Sequence, residues 1–212
     1  MASSINASVS GAGGVITTAD NTGILNIQTA GTTAITVNAS QNTTFAGTVT
    51  LPTGTLYPIV SGTSQASTSG TTITFTGIPS WAKQVTMLFS GVSLTGTDNF
   101  LIQLGSGTFT TSGYSNITGY SGTTTGTITS TSGISIASGG NAGDLTYGQV
   151  TFYNITGNTW VASGATTAGT AINYFSIPGG SVSLSGALDR IRVTSVIGSD
   201  TFDSGSINIL YE

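Results

Sequence analysis

The sequence has no cysteine and no histidine among its 212 residues, and only three basic side chains, Lys83, Arg190 and Arg192. The first two absences remove Ser/His and Cys/His nucleophilic chemistry, imidazole and thiolate metal sites, disulfides and thiol redox switching together. The third leaves no basic stripe of the kind that a phosphate backbone or an anionic bilayer demands, so neither nucleic acid nor membrane is an expected partner. Seven acids (Asp20, Asp98, Asp144, Asp189, Asp200, Asp203 and Glu212) bring the net charge to −4, and charged residues make up 5% of the chain, against roughly 25% in an average soluble domain. Long apolar runs are missing too. No stretch approaches the ~18 residues of a membrane-spanning helix, and the opening MASSINASVSGAGG has neither the basic nor the apolar region of a secretory signal.

What is there instead is hydroxyl and glycine: 41 Thr, 29 Ser and 31 Gly. Helix formers at 3.6-residue spacing hardly occur, while Thr, Ser, Val and Ile recur and Gly or Asn clusters punctuate the chain at the spacing of short strands joined by turns. The chain reads as all-β. Residues 1–20 lack periodicity and read as a leader that is either flexible or docks on a partner protein, for instance by adding a strand to its sheet. Over residues 21–58, three β runs (Ile24 to Gln28, Ala34 to Asn38 and Phe45 to Leu51) form a crude internal repeat. Leu25 with Ile27, Ile35 with Val37 and Phe45 with Val49 supply one apolar face, too little to hold a lone meander in water. Three chains wound on one axis would cover it, making a β-structured shaft; a solenoid is the runner-up. Pro52 and Pro58 mark a boundary.

From residue 59 onward, ten candidate strands are expected: Ile73 to Thr76, Gln84 to Ser90, Phe100 to Gly105, Thr127 to Ala137, Gln149 to Thr156, Thr159 to Ala162, Ile172 to Ile177, Ser181 to Ser185, Arg190 to Val196 and Ser206 to Tyr211. Alternation is clean in Val85, Met87 and Phe89, in Phe100, Ile102 and Leu104, in Ile191 and Val193, and in Ile207, Ile209 and Tyr211. A two-sheet sandwich of jelly-roll type fits this pattern.

The remaining catalytic option is a carboxylate pair, as in glycoside hydrolysis. Asp98, Asp144 and Asp200 stand in turn contexts where Asp caps its own backbone, Asp189 adjoins Arg190, and Asp203 adds no distinct pattern, so no enzyme activity is expected. No run has the dense acidic spacing of a calcium loop, and no metal or cofactor is expected. The N-x-S/T sequons at Asn6, Asn38, Asn42, Asn116 and Asn154 follow from the Ser/Thr content and carry no assignment. A glycan-binding surface is typically made of aromatic faces that stack on sugar rings, with Asn, Asp and Ser reading hydroxyls. Tyr114 and Tyr120 in SGYSNITGYSG, Asn141, Asp144 and Tyr147 in GGNAGDLTY, and Trp160 after GN read as turn-borne or loop-borne candidates. Packing beneath a loop is the alternative for each aromatic; Trp81 reads as structural.

GIPSWAKQVTMLFSGVS (Gly77 to Ser93), GTDNFLIQLGSG (Gly96 to Gly107), ALDRIRVTSV (Ala187 to Val196) and TFDSGSINILYE (Thr201 to Glu212) resemble the C-terminal domain of tailed-bacteriophage fibre proteins. GILNIQTAGTTAITVNASQNTTFAGTV is similar to the shaft repeat that often precedes such domains. The resemblance implies a homotrimeric virion appendage, assembled in the host cytoplasm and displayed on the particle. Its N-terminal leader would join a capsid or tail protein, and residues 59–212 would form a tip facing a host-surface glycan or protein. The family brings no catalytic residues. The expected leader is shorter than the adaptor of long tail fibres, which keeps a head-decorating fibre with a purely structural role as the alternative.

Overall fold

The computed structural model describes residues 22–51, 54–55, 58–138, 140–170 and 174–212. The expected leader lies outside them. All regular structure among the described residues is β, and every strand pairing is antiparallel. The chain divides into two compact units, residues 1–56 and 57–212.

In the first unit, β1 (Leu25–Thr29), β2 (Thr32–Val37) and β3 (Thr43–Phe45) form a meander, followed by the small β4 (Thr50–Leu51) and β5 (Gly54–Thr55) pair. Ala30 and Gly31 link β1 to β2 with φ of 52° and 79°, the double positive φ of a type I′ hairpin whose twist matches its strands. The Asn38 side chain closes the next turn by accepting from Ser40 N and Asn42 N, each at 3.0 Å. Register sets Leu25 opposite Val37 and Ile27 opposite Ile35, which faces Phe45 in turn. The third run is broken rather than continuous to Leu51: β3 stops at Phe45, and β4 pairs with β5 instead of extending the meander. No residue from 22 to 49 is buried.

The second unit holds β6 (Val60–Ser61), β7 (Gln65–Ala66), β8 (Thr72–Thr76), β9 (Gln84–Leu94), β10 (Phe100–Ser106), β11 (Thr108–Phe109), β12 (Ser115–Ser121), β13 (Thr125–Ser130), β14 (Ile134–Ile136), β15 (Thr146–Thr156), β16 (Thr159–Ala168), β17 (Tyr174–Ser183), β18 (Arg190–Ser195) and β19 (Phe202–Tyr211). A five-stranded sheet runs β11-β10-β18-β8, with β14 also on β10. A nine-stranded sheet runs β13-β12-β17-β16-β15-β9-β19-β6, with β7 also on β19. One core joins them: Ile73, Phe75, Phe100, Ile102, Leu104, Ile191 and Val193 from the smaller sheet meet Val85, Met87, Phe89, Val150, Phe152, Ile207 and Ile209 from the larger. Phe100 is stacked on Phe202 at 6.0 Å and lies 6.1 Å from Phe89, so three strands drawn from both sheets meet on its ring. The alternation read from the sequence is the alternation that builds this core.

Three elements differ from expectation, each for a local reason. The run Thr127 to Ala137 is two strands in different sheets. The chain bends at 131–133, where a Cβ on Gly133 would come within 2.6 Å of the Ile102 carbonyl oxygen. The stretch around Tyr114 and Tyr120 is not a loop: Ser115–Ser121 is β12, whose inward residues Asn116 and Thr118 are buried but polar, so no apolar alternation betrays the strand. Their polarity is satisfied inside. Asn116 accepts from Ser135 Oγ at 2.6 Å and donates to the Gly179 carbonyl at 2.9 Å, and Thr118 donates to the Ser135 carbonyl at 2.7 Å. Finally, the two runs expected near 172 to 185 are one strand, β17, passing through Pro178. Its pairing with β16 is interrupted between Ser163↔Gly179 and Thr166↔Ser176, where proline has no N–H to donate.

Candidate functional site

The second unit carries a tyrosine-walled depression of about 180 Å3 at the end of β12 and the start of β17, where Tyr120 and Tyr174 meet Thr97, Asn99, Thr124 and Gly140. Tyr120 sits opposite Ser176 on β17 and Gly126 on β13. A side chain at 126 would put its Cβ 2.5 Å from the Tyr120 hydroxyl, so glycine there is what lets the ring lie across β13. The Tyr120 and Tyr174 rings are 5.9 Å apart and tilted by 59°, within the range of favourable aromatic pairs. Thr123 donates to the Tyr174 hydroxyl at 3.1 Å and Thr124 lies 3.0 Å from it. These two hydrogen bonds hold the Tyr174 phenol below its ordinary pKa, the Thr123 bond contributing most. Asn99 accepts from Ser138 N through Oδ1 at 3.1 Å. Two ring faces, an amide and several hydroxyls therefore converge on one concavity, a set able to stack on an apolar ring face and hydrogen-bond its substituents.

The carboxylates nearby are already engaged. Asp144 is 2% exposed. It accepts from Thr170 N at 3.0 Å, from Thr170 Oγ1 at 3.2 Å and from Asn141 Nδ2 at 3.2 Å, tying the 141–144 turn to residue 170. Asp98 accepts from Asn99 N at 2.8 Å and from Ile197 N, while Asp200 accepts from Asp98 N at 3.0 Å. Asp203 accepts from Ser93 Oγ. Asp189 is held below its ordinary pKa, first by the hydrogen bond from Arg190 and then by the Gly107 amide. Among the described residues, no three acidic side chains gather as a metal would need.

The six sequence candidates separate. Tyr114 and Trp160 are not surface residues: each is 3% exposed and packed in the core. The Tyr114 hydroxyl accepts from Leu104 N at 2.8 Å, and burial pushes its pKa up to about 12. Trp160 leaves the hairpin turn on the inward side of β16, two residues before inward Ala162, so alternation directs the indole into the core. Asn141 and Asp144 do not line the depression: Asn141 Nδ2 donates to Asp144, and burial removes Asp144 from ligand contact. Tyr147 is exposed on the outer face of β15, beside Phe175 in a different depression. Tyr120 alone of the six lines the tyrosine depression. Its partner Tyr174 was placed by the sequence inside a strand; no turn residue signals it, and only the β12–β17 register brings the two rings together. Trp81 packs against the core with Tyr211 at 5.8 Å, as a structural residue. Comparison with protein families, with curated proteins and with solved structures finds no match to this chain.

Proposed function

We propose that the chain is a non-enzymatic, homotrimeric virion fibre of a tailed bacteriophage: an N-terminal leader anchors it to the particle, the first unit is a shaft, and the second unit is a jelly-roll-like tip that adheres to the host surface. The observation that carries this reading is the open first unit. Leu25, Ile27 and Phe45 are exposed on a three-stranded sheet, Val49 is exposed just after it, and no residue from 22 to 49 is buried; a sheet of that size is marginal alone in water. Copies of the same chain around an axis would bury these rows. The fibre-like blocks from Gly77 to Glu212 point the same way, and low charge suits faces that must be desolvated on assembly.

The tip's ligand would be a neutral glycan held at Tyr120 and Tyr174, weakly per site and more firmly through three sites per fibre. The test is a glycan array and a host-cell binding assay with the full chain beside its Tyr120→Ala and Tyr174→Ala variants. The reading expects retention on cells and on at least one neutral glycan class, reduced at least tenfold by either substitution with the melting temperature of the second unit preserved. Retention that ignores both substitutions removes the tyrosine depression as the site, and no retention at all favours the purely structural decoration fibre.

A further inference from the structure

The outer face of the nine-stranded sheet is uncharged across its middle, with large apolar side chains set among Ser, Thr and Gly. β12, β17, β16, β15 and β9 contain no Asp, Glu, Lys or Arg at any position. Ile117 (57%), Ile177 (56%), Phe175, Tyr147, Tyr153 and Ile155 all stand exposed on it. Register gathers part of this set into one row: Phe175 lies opposite Ser121 and Thr167, Thr167 opposite Tyr147, and Tyr147 opposite Ser90. Where Pro178 interrupts the β16–β17 ladder, a depression of about 290 Å3 opens in the face, walled by Tyr147, Ala165, Thr167, Phe175 and Ile177. Lys83, which precedes β9, stands at one end of this face, where it donates to Asn154 on β15 at 3.3 Å; the two arginines lie away from it. Arg190 pairs with Asp189 at 2.8 Å and Arg192 lies over the Phe109 ring at 4.3 Å, both on the five-stranded sheet.

Five strands ~4.8 Å apart, about ten residues long at ~3.3 Å each, span a face of roughly 800 Å2. That matches the roughly 800 Å2 per partner of a stable protein interface. Its composition, with charge absent and Tyr, Phe and Ile clustered, is that of an interface core. We propose that this face is the contact between copies of the second unit, and that its occupant is a second copy of this chain. A neutral face offers no charge for a different protein to complement, whereas identical neutral faces converge on a symmetry axis without like-charge repulsion. The inference rests on the homo-oligomeric reading above and adds to it the surface that the second unit uses.

The test uses the absence of native cysteine. Thr167→Cys places one thiol on the middle strand of the face, between Phe175 and Tyr147, and Thr68→Cys places one at an exposed position outside it. Each full-length variant is labelled with a maleimide under native conditions, and its mass is measured by light scattering on the same sample. The expected result is an oligomeric mass for both variants, with T167C labelled at least tenfold more slowly than T68C and the rates equal in denaturant. An oligomer in which T167C labels as fast as T68C overturns the interface and leaves the fibre reading standing. A folded monomer overturns both.

Discussion

Replacing Tyr114 by Phe removes one oxygen from the core while leaving the ring in place. The oxygen accepts the Leu104 amide hydrogen at 2.8 Å, and the residue is buried in the cluster between the sheets. Its loss leaves a buried N–H without an acceptor, which costs about 1–3 kcal/mol. A second effect depends on pH. Burial raises the Tyr114 pKa from 10.0 to about 12, so the folded protein holds the proton over a range in which the unfolded chain gives it up. Stability from this group is complete below pH 10 and falls as pH rises towards 12, by up to about 3 kcal/mol. Tyr114→Phe has no such proton. It is therefore less stable than wild type by about 1–3 kcal/mol at pH 8, and the gap narrows steadily between pH 10 and pH 12. Urea unfolding followed by tryptophan fluorescence at four pH values reads both effects. Parallel profiles for the two proteins across that window would contradict this, because every other ionisable side chain is common to both.

Phe100→Ala removes the ring on which Phe89 and Phe202 meet, and calorimetry should show the second unit destabilised by about 3–5 kcal/mol. Asn116→Ala strips the Ser135 backbone and side chain of a shared buried acceptor; a loss of about 1–3 kcal/mol in urea is expected, with faster amide exchange at Ser135. Asp189→Asn abolishes the ion pair with Arg190. The depressed Asp189 pKa contributes stability above its ordinary value of 3.8 that is lost as pH falls through the folded value, so the variant's acid unfolding curve should be shallower, by a small amount because the pair is exposed.

The all-β class and much of the sandwich core were legible because apolar residues alternate in β9, β10, β18 and β19 and turn inward to the core. β12 was not, because Asn116 and Thr118 fill its inward positions and only long-range hydrogen bonds explain their burial. Tyr114 and Trp160 looked like surface aromatics for the same reason: nearby Gly, Ser and Asn signal a turn but say nothing about the direction of the next side chain. Tyr120 was identifiable from the sequence as a candidate. Its pairing with Tyr174 depends on a register between segments more than fifty residues apart, which local patterns do not encode. The neutral outer face was written in the composition of five strands, yet became visible as one surface only once their order was known.

In the proposed fibre, three copies cover what one chain leaves open. Light scattering on the purified full chain tests it most directly. A homotrimer has a mass of about 63 kDa, three times the 21.1 kDa of one chain, and holds it on dilution. A single species at 21.1 kDa with intact β-sheet dichroism and a cooperative melt would contradict it.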